Sequence, residues 1–138
     1  MNNKIENVLL IDDDNITNFI NQRLLKKLNV ASNITTATNG YEGLEHVHKF
    51  CKNFKNCSHL IFLDIKMPVM DGIEFLKEFN TLNLPNKENI NIIMLSTSSN
   101  ENDIRQIEKF KVREFLTKPL TEEKILKVLQ DWKSYCSE

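Results

Sequence analysis

Short apolar runs alternate with longer amphipathic segments along the whole chain, and this alternation limits the possible folds more than any other feature of the sequence. Three of the runs are apolar throughout, as expected of strands that are covered on both faces of a sheet; they span residues 8–11, 60–63 and 92–95. Two weaker strands are predicted at Ile34–Thr38, which is rich in threonine and suits a position near an edge, and at Arg113–Thr117. The chain therefore holds five strand candidates.

Five helices are predicted from apolar residues that recur at helical spacing between or after these strands. The first runs from about Asn15 to Leu28, and its apolar residues form one stripe, as on the core-facing side of a helix: Ile16, Phe19, Ile20, Leu24 and Leu28. The fifth follows Thr121, which suits an N-cap, and it carries a similar stripe: Ile125, Val128, Leu129 and Trp132.

Polar residues mark the starts of the other three helices. Asn39 begins the second helix, and Glu42 follows it at the spacing of a capping box. Asp71 begins the third helix and Ser98 the fourth, whose apolar stripe is thin. Five alternating strands and helices predict an α/β fold with a parallel sheet covered on both faces, and right-handed crossovers make it doubly wound.

Length, charge and hydropathy exclude several classes of protein. The chain has 138 residues and no linker rich in proline or glycine, so we expect one domain over residues 1–138 and no output domain. A net charge of −1 argues against a nucleic-acid partner. No apolar run approaches the roughly 20 residues that span a bilayer, and the N-terminus lacks the apolar stretch of a signal peptide. We therefore expect a cytoplasmic protein with no membrane contact.

The cysteines and histidines invite a metal-site interpretation that their spacing does not favour. Three cysteines form no disulfide framework and are expected to be free thiols in a reducing compartment. Two of them have histidines nearby, but without the paired spacing of a zinc site. The residues concerned are Cys51, Cys57, Cys136, His46, His48 and His59.

Chemically active side chains follow four of the predicted strands. Asp12, Asp13 and Asp14 follow the first strand, Asp64 ends the third, the run 96–98 of hydroxyl residues ends the fourth, and Lys118 follows the fifth. Ligands of parallel α/β sheets bind beyond these carboxyl ends. Clustered carboxylates repel one another without a cation, and Mg²⁺ is the cation that suits them. Lysine and hydroxyl donors beside it would neutralise a phosphoryl group, so the sequence predicts a magnesium-dependent phosphoryl site.

Each of these residues also has a purely structural interpretation. An aspartate or serine after a strand often caps the next helix, and this is the better interpretation of Asp14. A lysine before proline is usually solvated. The structural interpretation does not explain why all of them fall at the same end of one sheet.

Four segments together resemble the receiver domain of two-component response regulators, in its single-domain, chemotaxis-regulator-like form. They are Val-Leu-Leu-Ile-Asp-Asp-Asp at 8–14, Leu-Asp-Ile-Lys-Met-Pro-Val-Met-Asp-Gly at 63–72, Ile-Met-Leu-Ser-Thr at 93–97 and Lys-Pro at 118–119. They occur in the order and spacing of that family and cover nearly the whole chain. The resemblance implies a flavodoxin-like (βα)5 sheet with strand order 2-1-3-4-5.

The resemblance also implies a role for each site residue. Asp64 would accept a phosphoryl group from the phosphohistidine of a sensor histidine kinase or histidine phosphotransfer protein. Mg²⁺ would be held by Asp12, Asp13, Asp64 and the backbone carbonyl of Lys66.

Further residues are implied to act on the phosphoryl group. Ser96 and Lys118 would contact its oxygens, and Phe115 would be an aromatic switch residue that turns inward with Ser96. The Lys118–Pro119 peptide bond would be cis. Lys66 and Thr97 occupy variable positions that tune dephosphorylation.

Two other functions remain to be weighed against a signalling switch. An aspartate-nucleophile phosphohydrolase of the haloacid-dehalogenase type would carry Asp-x-Asp-x-Thr or Val after strand one, where this chain has Asp-Asp-Asp-Asn-Ile. A pseudo-receiver would have lost part of the site, and none is lost here. We expect no enzymatic activity beyond self-phosphorylation and dephosphorylation.

The means of output stays open between a contact with an unknown target protein and onward phosphotransfer. The face formed by the fourth helix, fifth strand and fifth helix is predicted to contact a target, because it is locally basic and suits an acidic partner. Its cations are Arg105, Lys109, Lys111, Arg113 and Lys124.

Overall fold

The computed structural model describes residues 5–50, 58–97 and 101–136, with side chains described as far as residue 130. The strands are β1 Ile5–Ile11, β2 Ala31–Ala37, β3 His59–Asp64, β4 Ile90–Ser96 and β5 Glu114–Thr117. The helices are α1 Asn15–Lys27, α2 Gly40–Phe50, α3 Gly72–Thr81, α4 Glu101–Ile107 and α5 Glu122–Cys136, with a 3-10 turn at Lys87–Asn89.

All strand pairings are parallel, and the sheet has the order β2-β1-β3-β4-β5. This confirms the predicted flavodoxin-like fold. No helix within the described ranges has the length and apolar character needed to cross a bilayer.

Alternate residues of the central strands belong to two apolar clusters, one on each face of the sheet. Leu9 and Ile11 of β1 pack with residues of α2, α3 and α4. Val8 and Leu10 pack on the other face with residues of α1 and α5. Side chains of a strand point alternately to opposite faces, so a continuously apolar strand requires this double covering. β2 lies at one edge of the sheet and is only partly buried, which confirms its predicted position near an edge.

The prediction that the apolar stripe of α1 faces the core is wrong for the first half of the helix. Ile16, Phe19 and Ile20 are 70%, 56% and 57% exposed, and the buried residues of the helix are instead Asn18, Asn21 and Leu25. The amide of Asn18 donates to the backbone carbonyls of Asp12 and Ala37, at 2.9 and 3.2 Å. The start of α1 lies over the polar end of the sheet, where strand carbonyls need a donor, and Asn18 provides it.

The predicted helix starts are confirmed where the structure describes them. Asp71 and Glu74 form a capping box at α3, and the hydroxyl of Thr121 accepts from the backbone of Lys124 at 3.2 Å. Asn39 accepts from the Glu42 backbone at 3.0 Å, but the Glu42 carboxylate turns to Thr38 instead of completing a box with Asn39. Other predictions lie outside the described residues: the Ser98 cap, Cys51 and Cys57, and the Trp132 and Cys136 side chains.

Candidate functional site

The strand register brings the predicted site residues to one edge of the sheet. Ile11 pairs with Leu63, so that Asp12 and Asp64 follow at the same level. Asp64 pairs with Leu95 and Ser96 pairs with Thr117, which places Lys118 one residue beyond the end of β5.

Three carboxylates form a cluster that suits a divalent cation. Asp12, Asp13 and Asp64 each offer an oxygen atom, and these atoms lie within 4.8 Å of one another. Asp12 and Asp64 are buried, whereas Asp13 is exposed. Hard carboxylate oxygens with one side open to water and phosphate oxygens are the donor set that Mg²⁺ prefers. The residues present therefore fit the predicted magnesium site, while the participation of the Lys66 carbonyl stays a prediction.

The ammonium group of Lys118 bridges two of these carboxylates. Its Nζ lies 2.7 Å from Oδ2 of Asp12 and 3.2 Å from Oδ1 of Asp64. The Lys118 backbone N–H donates to the carbonyl of Ser96 at 2.7 Å, which ties it to the neighbouring strand. The Lys118–Pro119 bond is cis, as predicted.

The surroundings of Asp64 act on the pKa of its carboxyl group in opposite directions. Burial, followed by the charge of Asp12, raises the pKa of the Asp64 carboxyl group to about 6, although Lys118 lowers it. Burial also opposes the charged form of Lys118, but its hydrogen bond to Asp12 and the charge of Asp64 outweigh burial and raise the pKa of the ammonium. Asp64 is thus a comparatively basic carboxylate beside a cation that stays protonated.

Asp14 takes the structural role that we favoured for it. Its carboxylate caps α1 by accepting from the backbone of Ile16 and the hydroxyl of Thr17, both at 3.0 Å. The Thr17 hydrogen bond is the main reason that the pKa of Asp14 is lowered. Asp14 is not part of the carboxylate cluster.

Gly72 allows the loop after β3 to fold back against Asp64. Its N–H donates to the carbonyl of Ile65 at 2.8 Å. A Cβ atom at this position would lie 2.4 Å from the carbonyl oxygen of Asp64, closer than atoms can approach. The glycine that ends the 63–72 motif is therefore required by the backbone next to the site.

The response regulator receiver domain family model matches residues 8–130, which carry this entire site. The chain belongs to the response regulator receiver domain family. It is 28% identical over 127 residues to two-component response regulator 24 of Arabidopsis thaliana, covering 92% of this chain and 84% of the relative. It is 31% identical to response regulator mcs4 of Schizosaccharomyces pombe but spans only 30% of that longer protein.

Solved receiver structures share the fold. A two-component response regulator from Cytophaga hutchinsonii superposes with a TM-score of 0.82 at 28% identity, covering 95% of this chain and 98% of that one. The CheX-CheY-BeF3-Mg+2 complex from Borrelia burgdorferi contains a chain that superposes with a TM-score of 0.74 at 26% identity, covering 91% and 87%. That receiver was crystallised with magnesium and a partner protein.

The positions of Ser96 and Phe115 do not test their predicted role as switch residues. Ser96 is buried at the end of β4. Phe115 is partly buried and packs against the apolar cluster on the α3 side of the sheet. A core aromatic residue would occupy the same position, so the inward turn of Phe115 stays a prediction.

Sequence reasoning missed two polar side chains that shape the site. One is Asn18, which holds the carbonyl of Asp12, and no motif signalled it. The other is Asp103, which is 8% exposed in the first turn of α4. Its carboxylate lies 3.7 Å from the ammonium of Lys66, two residues after Asp64. This ion pair connects the loop after β3 to α4.

The zinc alternative gains no support from the described residues. Within residues 5–50, 58–97 and 101–130, the only group of three or more potential metal ligands is the aspartate cluster. His59 is buried, stacks on Phe50 and lies 3.1 Å from the amide of Asn7.

Proposed function

We propose that this receiver accepts a phosphoryl group on Asp64 from a protein phosphohistidine and signals in its phosphorylated state. The observation that carries the proposal is the bridge from Lys118 to both Asp12 and Asp64 within a cluster of three carboxylates. The bridge places a fixed cation beside the Asp64 carboxylate. The phosphoryl oxygens would bring new negative charge to this place, and preorganised positive charge stabilises it most effectively there.

The proposed step is an in-line transfer between two nucleophiles. An oxygen atom of Asp64 attacks phosphorus, the P–N bond of phosphohistidine breaks, and the imidazole leaves with the electron pair of that bond. Lys118 and Ser96 contact the phosphoryl oxygens. Asp12, Asp13 and Asp64 would hold Mg²⁺, which would supply further positive charge beside the same oxygens. The receiver catalyses only its own phosphorylation and dephosphorylation.

The exposed apolar face of α1 is the proposed docking surface for the phosphodonor. A donor protein has to cover the edge of the sheet where Asp64 lies. Ile16, Phe19 and Ile20 are exposed in the first two turns of α1, the helix that begins directly after the aspartates that follow β1. A cleft of about 510 Å³ separates α1 from the segment after β5 and reaches from Ile20 to Lys118. Large exposed apolar side chains that lie together mark interaction sites.

The proposed output surface is narrower than the sequence indicates. Arg113 donates to the side chain of Asn91 at 3.2 Å, and Lys124 binds backbone carbonyls. The exposed cations of the predicted face are Arg105, Lys109 and Lys111. An acidic target segment is the partner that these three cations fit, and onward phosphotransfer is the alternative.

Phosphoramidate tests the proposed function, because it is a small donor with the same P–N bond as phosphohistidine. In the presence of Mg²⁺, wild-type protein should become phosphorylated and Asp64→Asn should not, since an amide is not a nucleophile. Asp14→Asn is the matched control: it also removes an acidic charge beside the site but keeps a good capping residue. Equal phosphorylation of wild type and Asp64→Asn would overturn the proposal.

A further inference from the structure

Lys124 binds the backbone on both sides of Lys118. It lies in the first turn of α5, and its Nζ donates to the carbonyl of Thr117 at 2.6 Å and to that of Pro119 at 2.9 Å. These are the residues directly before and after Lys118 in the chain. The sequence placed Lys124 among the cations of the output surface, whereas the structure turns its charged end back onto the main chain.

We infer that Lys124 is a positioning residue, which fixes the segment 117–119 so that the Lys118 ammonium reaches Asp12 and Asp64 together. This inference rests on the proposed function, in which Lys118 contacts the phosphoryl group. Lys124 itself touches no reacting atom and acts only through Lys118.

The end of β5 needs such a support. β5 has only four residues and lies at the edge of the sheet, so among the described residues no strand holds the backbone on its outer side. On the inner side, the N–H of Lys118 donates to Ser96. Lys124 supplies the second attachment through hydrogen bonds in which the donor is charged, and these are stronger than neutral ones.

Lys124 is itself held in a fixed place relative to this segment. Its backbone N–H donates to the hydroxyl of Thr121, the capping residue of α5, and the N–H of Ile125 donates to the carbonyl of Thr121. The start of α5 and the end of β5 are thus joined into one closed turn, with Lys118 at its tip. Losing the Lys124 attachment frees one side of that turn.

A comparison of variants at two lysines of α5 tests the inference. Lys124→Met removes the ammonium and keeps an unbranched apolar side chain. Lys127→Met is the matched control, because Lys127 lies one turn further along the same helix and is exposed. With acetyl phosphate and Mg²⁺, Lys124→Met should be phosphorylated roughly tenfold more slowly than wild type, since small displacements of a charged group cost this much or more. Lys124→Arg should recover most of the rate, because guanidinium can donate to two carbonyls.

A second measurement reports the position of the Lys118 ammonium group and does not depend on phosphoryl transfer. In metal-free protein, the ¹⁵N resonance of the Lys118 ammonium group, assigned by its loss in Lys118→Met, reports the ion pairs with Asp12 and Asp64. It should shift or broaden in Lys124→Met and stay unchanged in Lys127→Met. If the wild-type protein accepts no phosphoryl group, the proposed function is wrong. The Lys118 resonance still tests the role of Lys124 in that case, because it does not depend on phosphorylation.

Two results would overturn the inference. One is a Lys118 ammonium resonance that is the same in Lys124→Met and wild type. The other is a phosphorylation rate of Lys124→Met that equals that of Lys127→Met. If Lys124→Met does not fold, Lys124→Gln replaces it, because the amide still donates to one carbonyl and should give an intermediate shift.

Discussion

Asp64 lies among groups that shift the pKa of its carboxyl group in opposite directions. Burial and Asp12 raise its pKa, Lys118 lowers it, and the result is a rise from 3.8 to about 6. A raised pKa means that the folded protein binds this proton more tightly than the unfolded chain does. The stability contributed by the proton is complete below pH 3.8 and is lost as the pH rises through about 6.

Replacing Asp64 with asparagine should therefore stabilise the metal-free protein. In EDTA at pH 8, Asp64→Asn should raise the free energy of unfolding by about 1–3 kcal/mol, because one pKa unit corresponds to about 1.4 kcal/mol. The gain should shrink as the pH falls through about 6 and disappear below pH 3.8, where the carboxyl group is protonated in both states. Urea unfolding at several pH values measures this.

Asp14→Asn serves as the control for that experiment. The pKa of Asp14 is lowered by its hydrogen bonds to Thr17 and Ile16, so its ionised form is favoured by folding and its replacement should bring no gain at pH 8. An Asp64→Asn protein that is less stable than wild type at pH 8 would contradict the electrostatic description of the cluster.

At the scale of single elements, α1 shows where sequence patterns mislead. Apolar spacing located the helix correctly, within one residue at its end, but in the first half of the helix it assigned the wrong face to the core. In the second half, Leu24 and Leu28 pack against the core as predicted. Periodicity assumes that a buried face is apolar. The first turns of α1 cover strand carbonyls instead, and their buried residues are Asn18 and Asn21. Nothing in a single sequence distinguishes such an asparagine from a solvated one.

The exposed residues of α1 give a prediction that separates docking from folding. The double substitution Phe19→Ser and Ile20→Ser should leave the free energy of unfolding nearly unchanged, because both side chains are more than half exposed. Phosphorylation by acetyl phosphate should also be unchanged, while transfer from a phosphorylated histidine kinase or phosphotransfer protein should slow at least several-fold. Urea unfolding and parallel labelling with the two donors check this.

Leu25→Ala provides the contrast, since Leu25 is fully buried in the same helix. It should cost about 2–5 kcal/mol of stability and affect both donors alike. If the double substitution slows acetyl phosphate and the protein donor equally, the apolar face of α1 is not a donor docking surface.

At the scale of the whole molecule, topology explains why so much of the site was predictable. Once five strand and helix pairs were recognised, the parallel sheet placed Asp12, Asp64, Ser96 and Lys118 at one edge, as the strand register confirms. The distances between their atoms were not predictable, because they depend on how loops fold back. The Lys124 contacts illustrate this. In the sequence Lys124 is an ordinary surface lysine, whereas in the structure its ammonium group donates to two backbone carbonyls.

We propose Asp64 as the phosphoacceptor of a magnesium-dependent site. The most direct test is peptide mapping by mass spectrometry after incubation with acetyl phosphate, in parallel samples with Mg²⁺ and with EDTA. We predict one phosphoryl group per chain, located at Asp64, formed with Mg²⁺ and nearly absent in EDTA. A phosphoryl group on another residue would contradict the assignment of Asp64, and equal modification of Asp64 in both samples would contradict the role of magnesium.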